Sequence, residues 1–430
     1  MKKITLAAAI LPLTALFAAT PSVVDNSVAM VQDMATRLVT ITYEIADAPA
    51  IVTMDVQTNR GDGVYASIGA GNFTRIWGDV NRYVGVGSHV ISWQPMPDWP
   101  DVKISLDAGG VRAVVTAWAT NFPPDYAVID LAVANNVRFY TCKEAIPYGG
   151  PTNDIYKTDY LVMRKMPAAG VRWRQGSPDG ESGRSAKFET LRYVTMSNDY
   201  YMAIYETTWG QWKKLGFGKP SNSTINWDAA DAPLRPANGM SWEMLRGTGA
   251  SYDWPTAGHA VVAAGFLGAL RTYTSQGFEF DLPTSAQWEY ACRAGTFTAL
   301  NNGSNTNYDE VAWCSENTID ASNPNGVEQQ VGLKKPNNWG LYDMHGLHRE
   351  WCLDYAPASG YMRSDAEVFE PAAECPGGGV STGTRIWRGG TYRDTWTNGR
   401  SAYWSTEASN NVHSRNGFRM VCPAVYAADK

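Results

Sequence analysis

The chain of 430 residues is short of several things that would point to familiar chemistry. It has five histidines, and its six cysteines form no C-x-x-C pair, which removes the usual zinc and thioredoxin-type spacings. No G-x-S-x-G elbow and no phosphate-binding glycine loop is present. Charged residues make up only 18% and the formal net charge is −6, so neither nucleic acid nor an anionic membrane is an expected partner. After the first 20 residues no apolar run is long enough to span a bilayer.

What the chain has is rings and glycines: 17 Trp, 22 Tyr and 40 Gly, a mixture suited to loop-rich structure with broad contact surfaces. Its length implies more than one domain. Lys2, Lys3, the run "ITLAAAILPLTALF" and the small residues that follow read as a signal peptide over 1–19, so the mature protein is expected to be exported (periplasmic, cell-surface or secreted) without a membrane span. In an oxidising compartment the cysteines, Cys142, Cys292, Cys314, Cys352, Cys375 and Cys422, are expected as disulfides of unassigned connectivity.

Short period-2 segments come next. "LVTITYEI" places Val39, Ile41, Tyr43 and Ile45 on one face, and "IVTMDVQT" does the same with Val52, Met54 and Val56. "HVISW", "DVKISL" and "VRAVVTAWA" follow between turn residues, predicting an all-β sandwich-like domain over 20–135. Residues 136–158, with "AIPYGGPTNDIY", read as a linker, and a second domain is expected over 159–425. There "LPTSAQWEYACRAG" predicts a helix with a capping box between Thr284 and Gln287 and an end at Gly295; Ser241 caps another, and "ETTWGQWKKL" predicts a third.

Four segments, "YETTWGQWKKL", "LPTSAQWEYACRAGT", "KKPNNWGLYDMHGLHREWCLDY" and "RIWRGGTYRD…GRSAY…NGFRMV", occur in order, and over about Asp159 to Cys422 the chain resembles the formylglycine-generating enzyme (sulfatase-modifying factor) family. The resemblance implies an α+β, loop-rich, C-type-lectin-like fold. It also implies an oxidase that converts a sulfatase cysteine to formylglycine with copper held by two cysteines, because soft thiolates select Cu(I). Carried onto this chain, those cysteines fall at Asp394 and Gly399, so copper and the family activity are not expected.

The resemblance further implies a calcium ligand at Glu350, with a salt bridge as the competing role, although Leu347 replaces an oxygen donor of the family motif. His345, His348 and Glu350 spell H-x-x-H-x-E, but the i, i+3 spacing is not that of helical metal pairs, and a hydrogen-bonded turn is the expected role. The expectation is therefore a binding protein for a protein, peptide or glycan ligand. Its candidate surface is Arg388, Tyr392, Arg393, Asp394, Trp396, Asn398, Arg400, Tyr403 and Trp404, with about half of the rings in the core instead. The alternatives are a formylglycine-generating oxidoreductase with a non-standard centre and a retroelement-diversified binder whose variable stretch runs from Thr391 to Asn416.

Overall fold

The computed structural model describes residues 19–59, 61, 63–99, 110–223, 225–357, 368–370 and 380–427. The expected signal peptide (Ala19 aside), the strand expected at "DVKISL" and Cys375 lie outside the described residues.

Two sheets face each other in the first region. One carries Ser22–Val23, Ala29–Gln32, Val39–Ala46, Ile76–Gly78 and Gly87–Trp93; the other carries Ala50–Asn59, Tyr65–Ser67, Arg82–Val84 and Val111–Trp118. Val39, Ile41, Tyr43 and Ile45 point inward as the alternation requires. The next strand departs from simple alternation, since Ile51 and Thr53 are buried as well as Val52, Met54 and Val56. The cause is a second neighbour: Ile51 joins the core of the following region, with Tyr83 and Trp118 packed against it.

The hairpin Tyr126–Asp130 and Val137–Tyr140 differs from the sequence reading of 20–135 as sandwich and 136–158 as linker. It extends an antiparallel sheet with Tyr160–Met166, Tyr200–Ala203 and Val421–Pro423. Strand partners are chosen by side-chain packing, and here the inward side chains Ala127, Ile129 and Phe139 meet Leu161, Met163 and Tyr201. The hairpin also ties the two regions together, because Phe139 N donates to Asn81 O at 2.7 Å.

The second region is mixed α and β with much irregular backbone. Thr284 and Gln287 form the expected capping box at the head of the helix Ser285–Arg293, with bonds of 3.1 and 2.9 Å, and Ala294 and Gly295 end it in left-handed conformations. Thr208 and Gln211 form a second such box on Trp209–Lys214, and Ser241 caps Trp242–Arg246. A four-stranded sheet in the order Trp404–Ala408, Val380–Arg388, Arg349–Pro357 and Asn416–Gly417 carries the site described below.

The expected disulfides are a further difference. Among the described residues Cys142, Cys292, Cys314, Cys352 and Cys422 are free thiols. They sit apart, with Cys292 enclosed by His345 and Ser401 and Cys314 turned to Asn317. Among the described residues no helix is long and apolar enough to cross a membrane.

Candidate functional site

The strand Val380–Arg388 runs out into Gly389 and Gly390, both at positive φ. A Cβ at Gly390 would come within 2.7 Å of Asn398 O, so only glycine lets the turn fold back on the segment 396–399. The turn then places Asp394, whose amide donates to Thr391 O at 3.0 Å and whose carbonyl accepts from Ser315 N at 2.8 Å. The Asp394 side chain is 24% exposed and lies 3.7 Å from the Arg415 guanidinium.

Around that carboxylate the sheet supplies charge and rings. Parallel pairing sets Arg349 opposite Asn416, and Arg349 Nε donates to Asn416 Oδ1 at 2.5 Å while its Nη2 meets Glu407 at 2.6 Å. The Arg349 guanidinium covers the Trp387 ring at 4.8 Å, and Tyr403 packs on that ring at 6.0 Å. His413 accepts from Arg415 N at 3.1 Å; burial first, then Arg349 and Arg415, hold its pKa below the usual histidine value. Two arginines thus face two carboxylates, and exposed Arg393 lies beside them over the Tyr392 ring at 5.3 Å, in a chain that is acidic overall.

The structure separates the nine expected contact residues. Arg393, Asp394, Trp396, Asn398 and Tyr403 have solvent access, whereas Arg388, Tyr392, Arg400 and Trp404 are buried. For those four the expectation of ligand contact is corrected, because each is spent on structure. Arg388 Nη2 pairs with Glu289 at 3.0 Å, and its Nε donates to Ser285 Oγ at 2.8 Å. Arg400 bridges Glu181 and Glu189 at 2.5 and 2.8 Å. Trp404 donates to Phe188 O at 2.5 Å, and Tyr392 lies against His348 with ring centroids 5.6 Å apart. Trp396 stacks on Tyr308, ring centroids 6.0 Å apart and 12° from parallel.

Glu350 takes the salt-bridge role. Arg419 reaches its two oxygens at 2.9 to 3.2 Å and Trp288 Nε1 donates to it at 2.7 Å, so its acceptor capacity is filled by donors where a calcium ion would need free oxygens. His345 and His348 turn to different partners: His345 Nδ1 donates to Gly399 O at 2.6 Å and its Nε2 accepts from Asn301 N at 3.0 Å, while His348 Nε2 meets Glu328 at 3.0 Å. Burial pushes His345 down to about 4, which keeps it neutral in that bridge. Among the described residues no group of three His, Cys, Asp or Glu could hold a metal ion.

The two positions to which the resemblance assigns a thiol pair differ in kind. Asp394 offers a carboxylate already facing a guanidinium. At Gly399 a Cβ would meet Gly389 O at 3.2 Å and Gly346 N at 3.3 Å, a tight fit in which the neighbouring backbone has to give by a few tenths of an ångström. The thiol bonded most closely to this crossing, Cys292, is 3.8 Å from His345 and is pushed up to about 12 by burial, so it is protonated at neutral pH. These residues do not fit a copper ion held by thiolates.

Arg349, Glu407, His413 and Arg415 were absent from the sequence-derived surface. Arg349 and Arg415 sit inside or beside the "HGLHREW" and "NGFRMV" segments, but only the parallel pairing of Arg349–Pro357 with Asn416–Gly417 brings them together.

Residues 163–424 match the sulfatase-modifying factor enzyme 1-like domain family. The mouse formylglycine-generating enzyme is 26% identical over 205 residues, 45% of this chain and 52% of that protein. The chaperone protein LppX of Paenibacillus barcinonensis is 38% identical over 91 residues, 18% of this chain and 31% of that protein. The chain thus spans about half or less of the curated relatives it matches. Among solved structures, variable protein 1 of Treponema denticola is 21% identical with a TM-score of 0.44, over 61% of this chain and 95% of that one. The match to the domain family takes in more than half of the chain, and the protein belongs to the sulfatase-modifying factor enzyme 1-like family.

Proposed function

We propose that this is an exported recognition protein that uses the cleft around Asp394 to bind a protein, peptide or glycan ligand and does not generate formylglycine. The observation that carries the reading is the pair of positions expected to hold thiols: one is a carboxylate facing Arg415, and the other is a glycine, with no side chain and with tight backbone neighbours. Oxygen activation by Cu(I) needs soft anionic donors, and this inventory is hard, cationic and aromatic. Arginine and tyrosine among polar groups are what contact surfaces are built from.

The test has two arms. Incubation with Cu(I), oxygen and a sulfatase-type cysteine peptide should leave the peptide mass unchanged, and formation of formylglycine would overturn the reading. A ligand selected on glycan and peptide arrays should lose about tenfold or more in affinity with Asp394→Asn or Arg415→Gln. Unchanged affinity in both variants would remove this cleft as the binding site.

A further inference from the structure

A pocket of about 270 Å³ lies at the far end of the same strand, Val380–Arg388, from the glycine turn. It is lined by Trp242, Glu243, Asp253, Tyr355, Arg385 and Ser409, together with the 247–250 turn and Gly383. Asp253 and Arg385 neutralise each other there, and the Tyr355 hydroxyl donates to the second Asp253 oxygen. Arg385 is buried and largely committed: Nη1 donates to Leu353 O at 2.7 Å and Trp254 O at 3.0 Å, and its guanidinium lies between the rings of Tyr355 and Trp242 at 3.5 and 3.8 Å.

Glu243 is different. It accepts one neutral hydrogen bond, from Ser409 Oγ at 2.7 Å, and no cation among the described residues lies within ion-pair distance of it. The charge left over in the pocket is therefore negative and sits on Glu243. An anion would meet that carboxylate, and the one Arg385 donor left without a partner, Nε, is itself buried out of its reach. A cation finds an unpaired acceptor beside aromatic and backbone walls that suit a methylene stem. The volume, at the small end of ligand sites, fits one aliphatic chain and not a drug-sized molecule.

We infer that this pocket binds an alkylammonium group, free or carried on a lysine side chain, with Glu243 as the charge partner. The site is independent of the Asp394 cleft. Titration calorimetry of the full chain with n-butylammonium, Nα-acetyl-lysine methylamide and n-butanol tests it. Both ammonium compounds should bind saturably and butanol should not, while binding of the lysine derivative alone would assign the group to a peptide source. Glu243→Gln keeps the acceptor for Ser409 and should weaken ammonium binding about tenfold or more, with the thermal midpoint checked for retained folding. Asp394→Asn should leave the binding unchanged. The inference is overturned by equal binding of butanol, by full affinity in Glu243→Gln, by loss of binding in Asp394→Asn, or by no binding at about 10 mM amine.

Discussion

In the N-terminal sandwich the strand Val39–Ala46 turns Val39, Ile41, Tyr43 and Ile45 inward, and Thr53 is the one buried polar residue described between 20 and 118. In the domain that follows, five of the largest fully buried side chains are arginines: Arg246, Arg385, Arg388, Arg400 and Arg419. The contrast follows from backbone bookkeeping. Regular strands satisfy one another's amides and carbonyls through the ladder, so their inward side chains are free to be apolar. Irregular backbone leaves carbonyls unpaired, and long multi-donor side chains reach in to meet them. Arg419 does so on Ala203 O and Tyr342 O at 3.0 and 2.7 Å, while Glu350 balances its charge.

That contrast can be broken first at Arg400. Arg400→Ala leaves Glu181 and Glu189 buried without their cation and should cost about 3–5 kcal/mol, read by denaturant unfolding of the domain signal. A second test uses pH. Burial raises Asp343 from its ordinary 3.8 to about 6. The folded form therefore holds a proton that the unfolded form releases earlier. The stability from this group is fully present below pH 3.8 and is lost as pH rises through about 6, a change of roughly 3 kcal/mol at 1.36 kcal/mol per unit. Carboxylates held below their usual range by arginine, such as Glu289, act in the opposite sense, so the measurement is the difference between wild type and Asp343→Asn across pH 4 to 7. The variant, which keeps an acceptor for Gly332 N, should lack that decline. The smallest effect belongs to the sandwich: Ile41→Val should cost about 1 kcal/mol, independent of pH, as a methylene lost from an apolar core. A pH-dependent penalty there would blur the distinction between the regions.

The two regions also differed in what could be read from residues alone. The inward set of Val39–Ala46 was legible because a strand with one buried face carries its own period, and the Thr284–Gln287 box because a cap is local. Arg388 and Arg400 were misassigned to the surface since their partners are remote: Glu289 precedes Arg388 by 99 positions, and Glu189 precedes Arg400 by 211. Nothing near "RGGTYRDTWTNGR" announces those carboxylates. The hairpin at 126–140 was divided between the sandwich and the linker for a similar reason, since only the packing against Leu161, Met163 and Tyr201 shows which sheet it extends. Asp394 and Gly399 were legible as the positions to question, but the arginines around Asp394 depend on a parallel strand pairing that no local signal encodes.

The crossing at Gly399 bears on engineering as well as on chemistry. Gly389 O and Gly346 N lie over a position with no side chain, and Gly399's own carbonyl holds His345. A thiol introduced there needs those neighbours to give by a few tenths of an ångström, and the same shift would pull on the carbonyl that holds His345.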